Sequence, residues 1–195
     1  MDCYSLPTSL LIGESKYQIR NDGDYRVILD CFDALSDTEM EPQFRVYTAL
    51  IIFYSDLNSI PDIFDTFGDN VQEAADKMYE FFNCGKEDIG MKTPYNLIDW
   101  KNDSQMIAAA INNVARVEVR RESYIHWWTF LGYYMSIGES TLSTVVGIRL
   151  KIVKGKPLEK YEKEFRRNNP EYFNWDSTSM AKKEDDELLK SLWNH

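Results

Sequence analysis

The stretch Ser123-Tyr124-Ile125-His126-Trp127-Trp128-Thr129-Phe130-Leu131-Gly132-Tyr133-Tyr134-Met135 constrains this chain's fold more than any other. One histidine, two tryptophans, three tyrosines and a phenylalanine fall within about three and a half helical turns. Rings on most sides of one helix require partners all around it, from its own fold or from another protein. Trp127, Phe130, Leu131 and Tyr134 share a stripe suited to a core, which leaves Trp128 and Tyr133 on another face. That second face either completes the packing or forms a surface for apolar helices of a client or for copies of the chain itself. Trp127 and Trp128 point about 100° apart, so their roles should differ.

The whole chain of 195 residues has enough apolar and aromatic content for a real core. Its first residues, Met1-Asp2-Cys3-Tyr4-Ser5, lack the basic start and apolar run of a secretion signal. The longest apolar run, from Val46 to Tyr54 with Thr48 inside it, is too short to span a bilayer. The expected location is therefore the cytoplasm in which the chain is made, with no membrane partner. Cys3, Cys31 and Cys84 are an odd number without paired spacing, which fits reduced thiols rather than a disulfide frame or a zinc knuckle.

Charge is distributed unevenly. Residues 1–148 hold 11 basic and 23 acidic side chains, residues 149–167 hold 8 and 3, and residues 168–195 hold 3 and 6. An acidic body argues against nucleic acid as the primary partner, because phosphate binding depends on a basic surface. In the basic stretch, Glu159, Glu162 and Glu164 alternate with cations at helical spacing. They read as a solvated helix with intrahelical ion pairs, or alternatively as a docking patch for an acidic protein surface.

The pattern along the chain predicts an all-α, mainly helical single domain with a short N-terminal β-hairpin. Leu10-Leu11-Ile12 and Lys16-Tyr17-Gln18-Ile19 flank Gly13-Glu14-Ser15 as the hairpin. Ile28, Cys31, Phe32 and Leu35 define a helix from about Asp24 to Ser36. Thr38-x-x-Glu41 resembles a capping box for a central buried helix running to about Leu57. A loop with Pro61 then leads to Asp69, the expected cap of a helix carrying Val71, Ala74, Ala75, Met78 and Phe82. The polar stretch Lys86 to Pro94 reads as an exposed, mobile loop and the one plausible subdomain boundary. Further helices are expected from Asn102 or Asp103, through the aromatic stretch to Gly138, from Ser140 or Thr141 to Val153, and from Leu158 to Asn168. The expected organisation is an arm and hairpin over 1–22, a helical domain over 23–173 and an acidic extension over 174–195, mobile or helical.

Catalytic chemistry finds little support. His126 is the one histidine before the C-terminal residue, and its neighbours are aromatic rather than acidic. It lacks a nucleophile and an orienting carboxylate at a telling spacing, although Glu122 lies four residues before it. A hydrogen bond to backbone or to a carboxylate at a packed helix end is the simpler role. Asp99 and Asp103 could share a helical face and bind a cation, but two carboxylates are few ligands. Asp103 reads more economically as a helix N-cap, with Asp99 solvated or paired. No phosphate-cradling loop, paired metal-helix histidines or nucleophile elbow occurs, so no catalytic, metal or cofactor-binding residue is assigned. Arg149 follows Val145, Val146 and Ile148, which should place its guanidinium at the core edge to hold a carboxylate or helix-end carbonyls.

His126-Trp127-Trp128-x-Phe130 followed by Gly147-Ile148-Arg149, with Tyr95-Asn96-Leu97-Ile98-Asp99-Trp100 leading through Asp103 into a helix, is a recognisable combination. Asp24-Tyr25-Arg26 and Ala49-Leu50-Ile51-Ile52-Phe53-Tyr54 add to it. From about Leu10 to Tyr172 the chain resembles the gene-product-fifteen family of tailed phages and prophages, whose members sit among the tail assembly chaperones of long-tailed phages. The resemblance implies a non-enzymatic protein that binds the tape-measure protein during tail assembly in the host cytoplasm. It also implies self-association and contacts with a tail-tube protein or a second tail assembly chaperone. Trp100, Asp103, His126, Trp127, Trp128, Phe130, Tyr133, Tyr134 and Arg149 are the motif or protein-binding residues it marks. The alternatives are a structural connector or tail-completion component kept in the virion, and a metal-dependent enzyme such as a nuclease.

Overall fold

The computed structural model describes residues 4–85, 95–175 and 177, and these fall into two compact units. The expected loop from Lys86 to Pro94 and nearly all of the 174–195 extension lie outside the described residues. The helix Trp127–Met135 contributes residues up to Phe130 to the first unit and those from Leu131 to the second.

The first unit opens with the expected hairpin, β1 (Ser9–Ile12) antiparallel to β2 (Ser15–Gln18), with Leu10 opposite Tyr17 and Leu11 opposite Lys16. Gly13 alone in the two-residue turn takes a positive φ (57°), as a type II′ turn requires of its first residue. The alternation of the strand buries Leu10 and Ile12 and turns Leu11 to solvent. Helix α1 (Tyr25–Ser36) follows, capped by the Asp24 carboxylate on the Arg26 N–H. Next come α2 (Pro42–Phe53), α3 (Ile60–Phe67) and α4 (Val71–Phe82). Ile28, Cys31, Leu50, Phe53, Tyr54, Ile63, Met78 and Phe81 form the core.

Four expectations require correction in this unit. Helix α2 stops at Phe53 rather than near Leu57, because Tyr54 turns extended and pairs with Ile19. The Arg20 guanidinium then collects the carbonyls of Ile51, Ile52, Tyr54 and Leu57 at 2.8–3.0 Å, satisfying the orphaned end of the helix. Thr38 forms no capping box, since the helix begins at Pro42 behind Glu41, whose side chain makes no cap bond. The loop around Pro61 is in fact helix α3, which starts with a capping box between Ser59 and Asp62. Asp69 lies in a short 3-10 turn (Gly68–Asn70) rather than at the N-cap of α4.

The second unit contains α5 (Ser104–Ala115), α7 (Thr141–Val153), α8 (Lys160–Asn168) and a short 3-10 turn, Pro170–Phe173. The helix between α5 and α7 is α6 (Trp127–Met135). It begins at Trp127 rather than at the head of the aromatic stretch, because His126 is paired with Asp24 as an isolated antiparallel bridge. Ser140 caps α7 as expected, its hydroxyl accepting from the Ser143 N–H at 3.1 Å. Met106, Ile107, Ala110, Ile111, Leu142, Val145 and Ile148 are this unit's core. Among the described residues no helix is long and apolar enough to cross a membrane.

Candidate functional site

The residues singled out in the sequence gather in two places, one in each unit. In the first unit the focus is the start of α6. The Tyr25 N–H donates to the Ile125 carbonyl at 2.9 Å, and the Ile125 N–H donates to the Asp24 carboxylate at 3.0 Å. Asp24 and His126 thereby pair as a short antiparallel bridge, and this holds α1 and the start of α6 together across about a hundred residues of sequence. Tyr25 stacks on Phe130 with ring centres 4.2 Å apart.

His126 is buried, and both of its ring nitrogens are occupied. Its Nδ1 accepts the Trp128 N–H at 3.1 Å, so that nitrogen carries no proton, and Nε2 must donate to the Pro7 carbonyl at 3.1 Å. The ring therefore acts as the N-cap of α6 and as an anchor for the N-terminal arm. Burial disfavours the imidazolium and lowers the pKa, opposed by the bond to Pro7. Gly23 backs this ring with φ at 80°, where a Cβ would sit 2.8 Å from Phe81 and 3.2 Å from His126 Nε2. No larger residue fits there without displacing one of those rings.

The two tryptophans work as a pair on one target. The Trp127 indole donates to the Phe82 carbonyl and the Trp128 indole to the Phe81 carbonyl, both at 2.9 Å. These carbonyls lie at the C-terminal end of α4, and that of Phe81 also accepts the Cys84 N–H at 3.1 Å. Trp127 is 1% exposed, with Phe32 and Phe130 against it. Trp128 is half-buried, and with Leu10, Leu11, Lys16 and Phe81 it lines an open groove of about 410 Å³.

In the second unit the centre is Arg149, 1% exposed, which faces Asp103, 2% exposed. The guanidinium forks onto both carboxylate oxygens at 2.5 and 2.9 Å and also donates to the carbonyls of Leu97 and Tyr172. Trp175 stacks over it at 4.8 Å. The role expected of Arg149 is therefore what the structure has, with a carboxylate and carbonyls held together. The expected roles of the aspartates are exchanged. Asp103 stands at the N-cap position of α5 but makes no side-chain cap bond, its oxygens serving Arg149 and the Asp99 N–H. Asp99 makes the local turn instead, accepting from the Lys101 and Asn102 amides and the Asn102 side chain. Trp100 packs against Tyr134 with ring centres 5.1 Å apart, and burial with the nearby Asp103 charge raises the Tyr134 pKa. Tyr133, half-buried on α6, joins neither cluster.

A further correction falls on α8. Glu162 does not form an intrahelical pair with its basic neighbours but turns inward, buried, to accept Lys151 of α7 at 2.7 and 2.8 Å. It also closes the capping box at Glu159. Sequence reasoning missed Arg20 and Trp175, whose partners lie far along the chain. Gly23 was legible only as a glycine next to Asp24.

Apart from Tyr133, these groups hold backbone or one another. His126 has no free ring nitrogen, and Arg149 has spent its fork on Asp103 and two carbonyls. Among the described residues no group of three or more His, Cys, Asp or Glu is placed to hold a metal ion. Comparison with protein families matches residues 4–173 to the family described as Bacteriophage Gp15 protein. Comparison with curated proteins finds no match, and comparison with solved structures finds none either.

Proposed function

The chain belongs to the bacteriophage Gp15 family, and from that membership we propose that it is a tail assembly chaperone for the tape-measure protein. The family makes it a phage structural or assembly protein; the tape-measure client is the finer reading. The observation that carries the proposal is the match over nearly the whole chain by a family whose motif residues here are spent on holding the fold together. Function then falls to the outer surface. Leu11, Phe44, Phe64 and Met135 are exposed on a chain with a net charge of −10, a combination that suits transient apolar contact with a soluble exterior. The protein acts in the host cytoplasm without cofactor or catalysis, binds its client as a self-associating species, and yields it to tail-tube subunits or a second chaperone.

Co-expression with the tape-measure protein of the same phage tests this directly. A stoichiometric binder shifts the client into the soluble fraction by mass action, and the two copurify without added nucleotide or metal. An unchanged soluble yield beside abundant folded chain overturns the reading. Recovery of the protein from finished virions at fixed copy number puts a structural connector in its place.

A further inference from the structure

We propose that an aromatic patch formed by α2 and α3 in the first unit is the anchor point for the tape-measure client. This rests on the chaperone reading above and names the surface that performs it. Phe44 on α2 and Phe64 on α3 are 43% and 47% exposed. Between them lies Tyr47, 4% exposed, with ring centres 6.3 Å from Phe44 and 5.6 Å from Phe64, both edge-on. Tyr47 bridges the two exposed rings, so the three form one aromatic surface across α2 and α3. The Gln43 side chain donates to the Tyr47 hydroxyl at 2.6 Å and fixes that ring in place.

The neighbouring charges identify the occupant. Glu41 lies one helical turn before Phe44, Asp65 follows Phe64 directly, and Glu39 lies in the approach to α2. All three are exposed, and none forms an ion pair with a described residue. The one cation close in sequence, Arg45, turns its Nε to the Met40 carbonyl. The described residues of this unit carry 15 acidic and 5 basic side chains. An apolar surface with exposed acidic side chains beside it fits an amphipathic helical segment with an apolar side chain flanked by lysine or arginine.

The size of the patch points the same way. The exposed parts of two phenylalanine rings amount to on the order of 200 Å². A stable protein dimer buries upwards of about 1,000 Å², and two copies meeting here would bring acidic side chains together. One anchor side chain, repeated along an extended client that several chaperones coat, suits an area of this size.

The test uses the full chain co-expressed with the tape-measure protein of the same phage, with soluble yield and copurification as readouts. The wild type is expected to solubilise the client, and Phe44→Ser with Phe64→Ser to reduce binding by about tenfold or more. Glu41→Lys with Asp65→Lys leaves the rings in place; it is expected to weaken binding severalfold at low salt, with the difference shrinking at high salt. Val117→Ser and Tyr161→Ser, which remove exposed apolar groups of the second unit, are expected to change nothing. If the wild type solubilises the client and both paired variants match it, the patch is not the anchor, and the chaperone reading stands. If the wild type itself fails, both fall. Should the double serine variant not fold, the charge reversals decide: parental binding at low salt overturns the patch, and weakened binding that recovers towards the parent's in salt supports it.

Discussion

The two units solve one problem, the unsatisfied ends of packed segments, with different chemistry. In the first unit neutral groups close the end of α4 and the start of α6, the indoles of Trp127 and Trp128 and the His126 ring, while the starts of α1 and α3 take the carboxylates of Asp24 and Asp62. Its Arg20 guanidinium, which holds four carbonyls, is only half-buried. The second unit instead buries a full ion pair, Arg149 with Asp103. A neutral donor costs little to bury once it is bonded, whereas a buried charge depends wholly on its partner. The two units should therefore fail in different ways.

The largest effect expected is at the buried pair. Asp103→Ala strands the Arg149 charge and should cost about 3–5 kcal/mol, enough to unfold the second unit in a marginal protein. Arg149→Lys should also melt well below the parent, since a point ammonium cannot fork onto a carboxylate and reach two carbonyls. Replacing both partners by apolar residues, Asp103→Leu with Arg149→Met, should recover much of the loss. Arg20→Lys in the first unit should cost only about 1–2 kcal/mol, because water can take over some of those carbonyls. Chemical denaturation of each variant measures the comparison. Equal losses for Arg20→Lys and Asp103→Ala would remove the distinction between the units.

The same contrast explains what the sequence made legible. Helix α7 could be read from local signals, since Ser140 caps it and the apolar spacing of Leu142, Val145 and Ile148 carries it. The hairpin could be read from Gly13 and its alternating neighbours. Helix α3 carried a usable signal in Ser59, Pro61 and Asp62, but at eight residues its periodicity was too short to outweigh the proline. Asp103 was misread because a local rule, an aspartate before a helix, competed with a partner 46 residues away. Glu162 misled in the same way, its cation lying on another helix. Arg20 stands between a hairpin and a helix with no local partner, so only the folded chain reveals its four carbonyls. Arg149 was legible because a cation directly after a buried apolar face has few other places to go.

The next effect in size concerns the adjacent tryptophans of the first unit. Trp127→Ala should cost about 3–5 kcal/mol through the cavity left beside Phe32 and Phe130. Trp128→Ala removes a half-buried ring and one bond to the Phe81 carbonyl, so about 1–2 kcal/mol is expected. Trp127→Phe isolates the hydrogen bond to Phe82 and should cost less than the alanine variant, because most of the ring volume remains. Thermal melting separates the three. Equal destabilisation by the two alanine variants would mean that the open groove beside Trp128 contributes nothing to the difference between them.

The smallest effect is a pH dependence confined to the first unit. Burial holds the His126 pKa below its ordinary value, so between that depressed value and about 6.5 the unfolded chain binds a proton that the folded chain does not. Stability conferred by the neutral ring is fully present above about pH 6.5 and is lost as the pH falls towards the folded value. Protonation places a hydrogen on Nδ1, which then faces the Trp128 N–H instead of accepting from it, and the cap of α6 opens. The carboxylates with depressed pKa values, Asp62, Glu118 and Glu162, respond only in a lower range. Asp30, whose pKa burial and the Asp33 charge raise, works in the opposite direction. Hydrogen exchange between pH 7 and 5, corrected for intrinsic rates, should show amides at the start of α6 losing protection while those of α5 and α7 keep theirs. His126→Gln, which cannot titrate, should flatten that loss. An equal slope in both units, or an unchanged slope in the glutamine variant, would assign the acid sensitivity to carboxylates and leave the imidazole cap without a part in it.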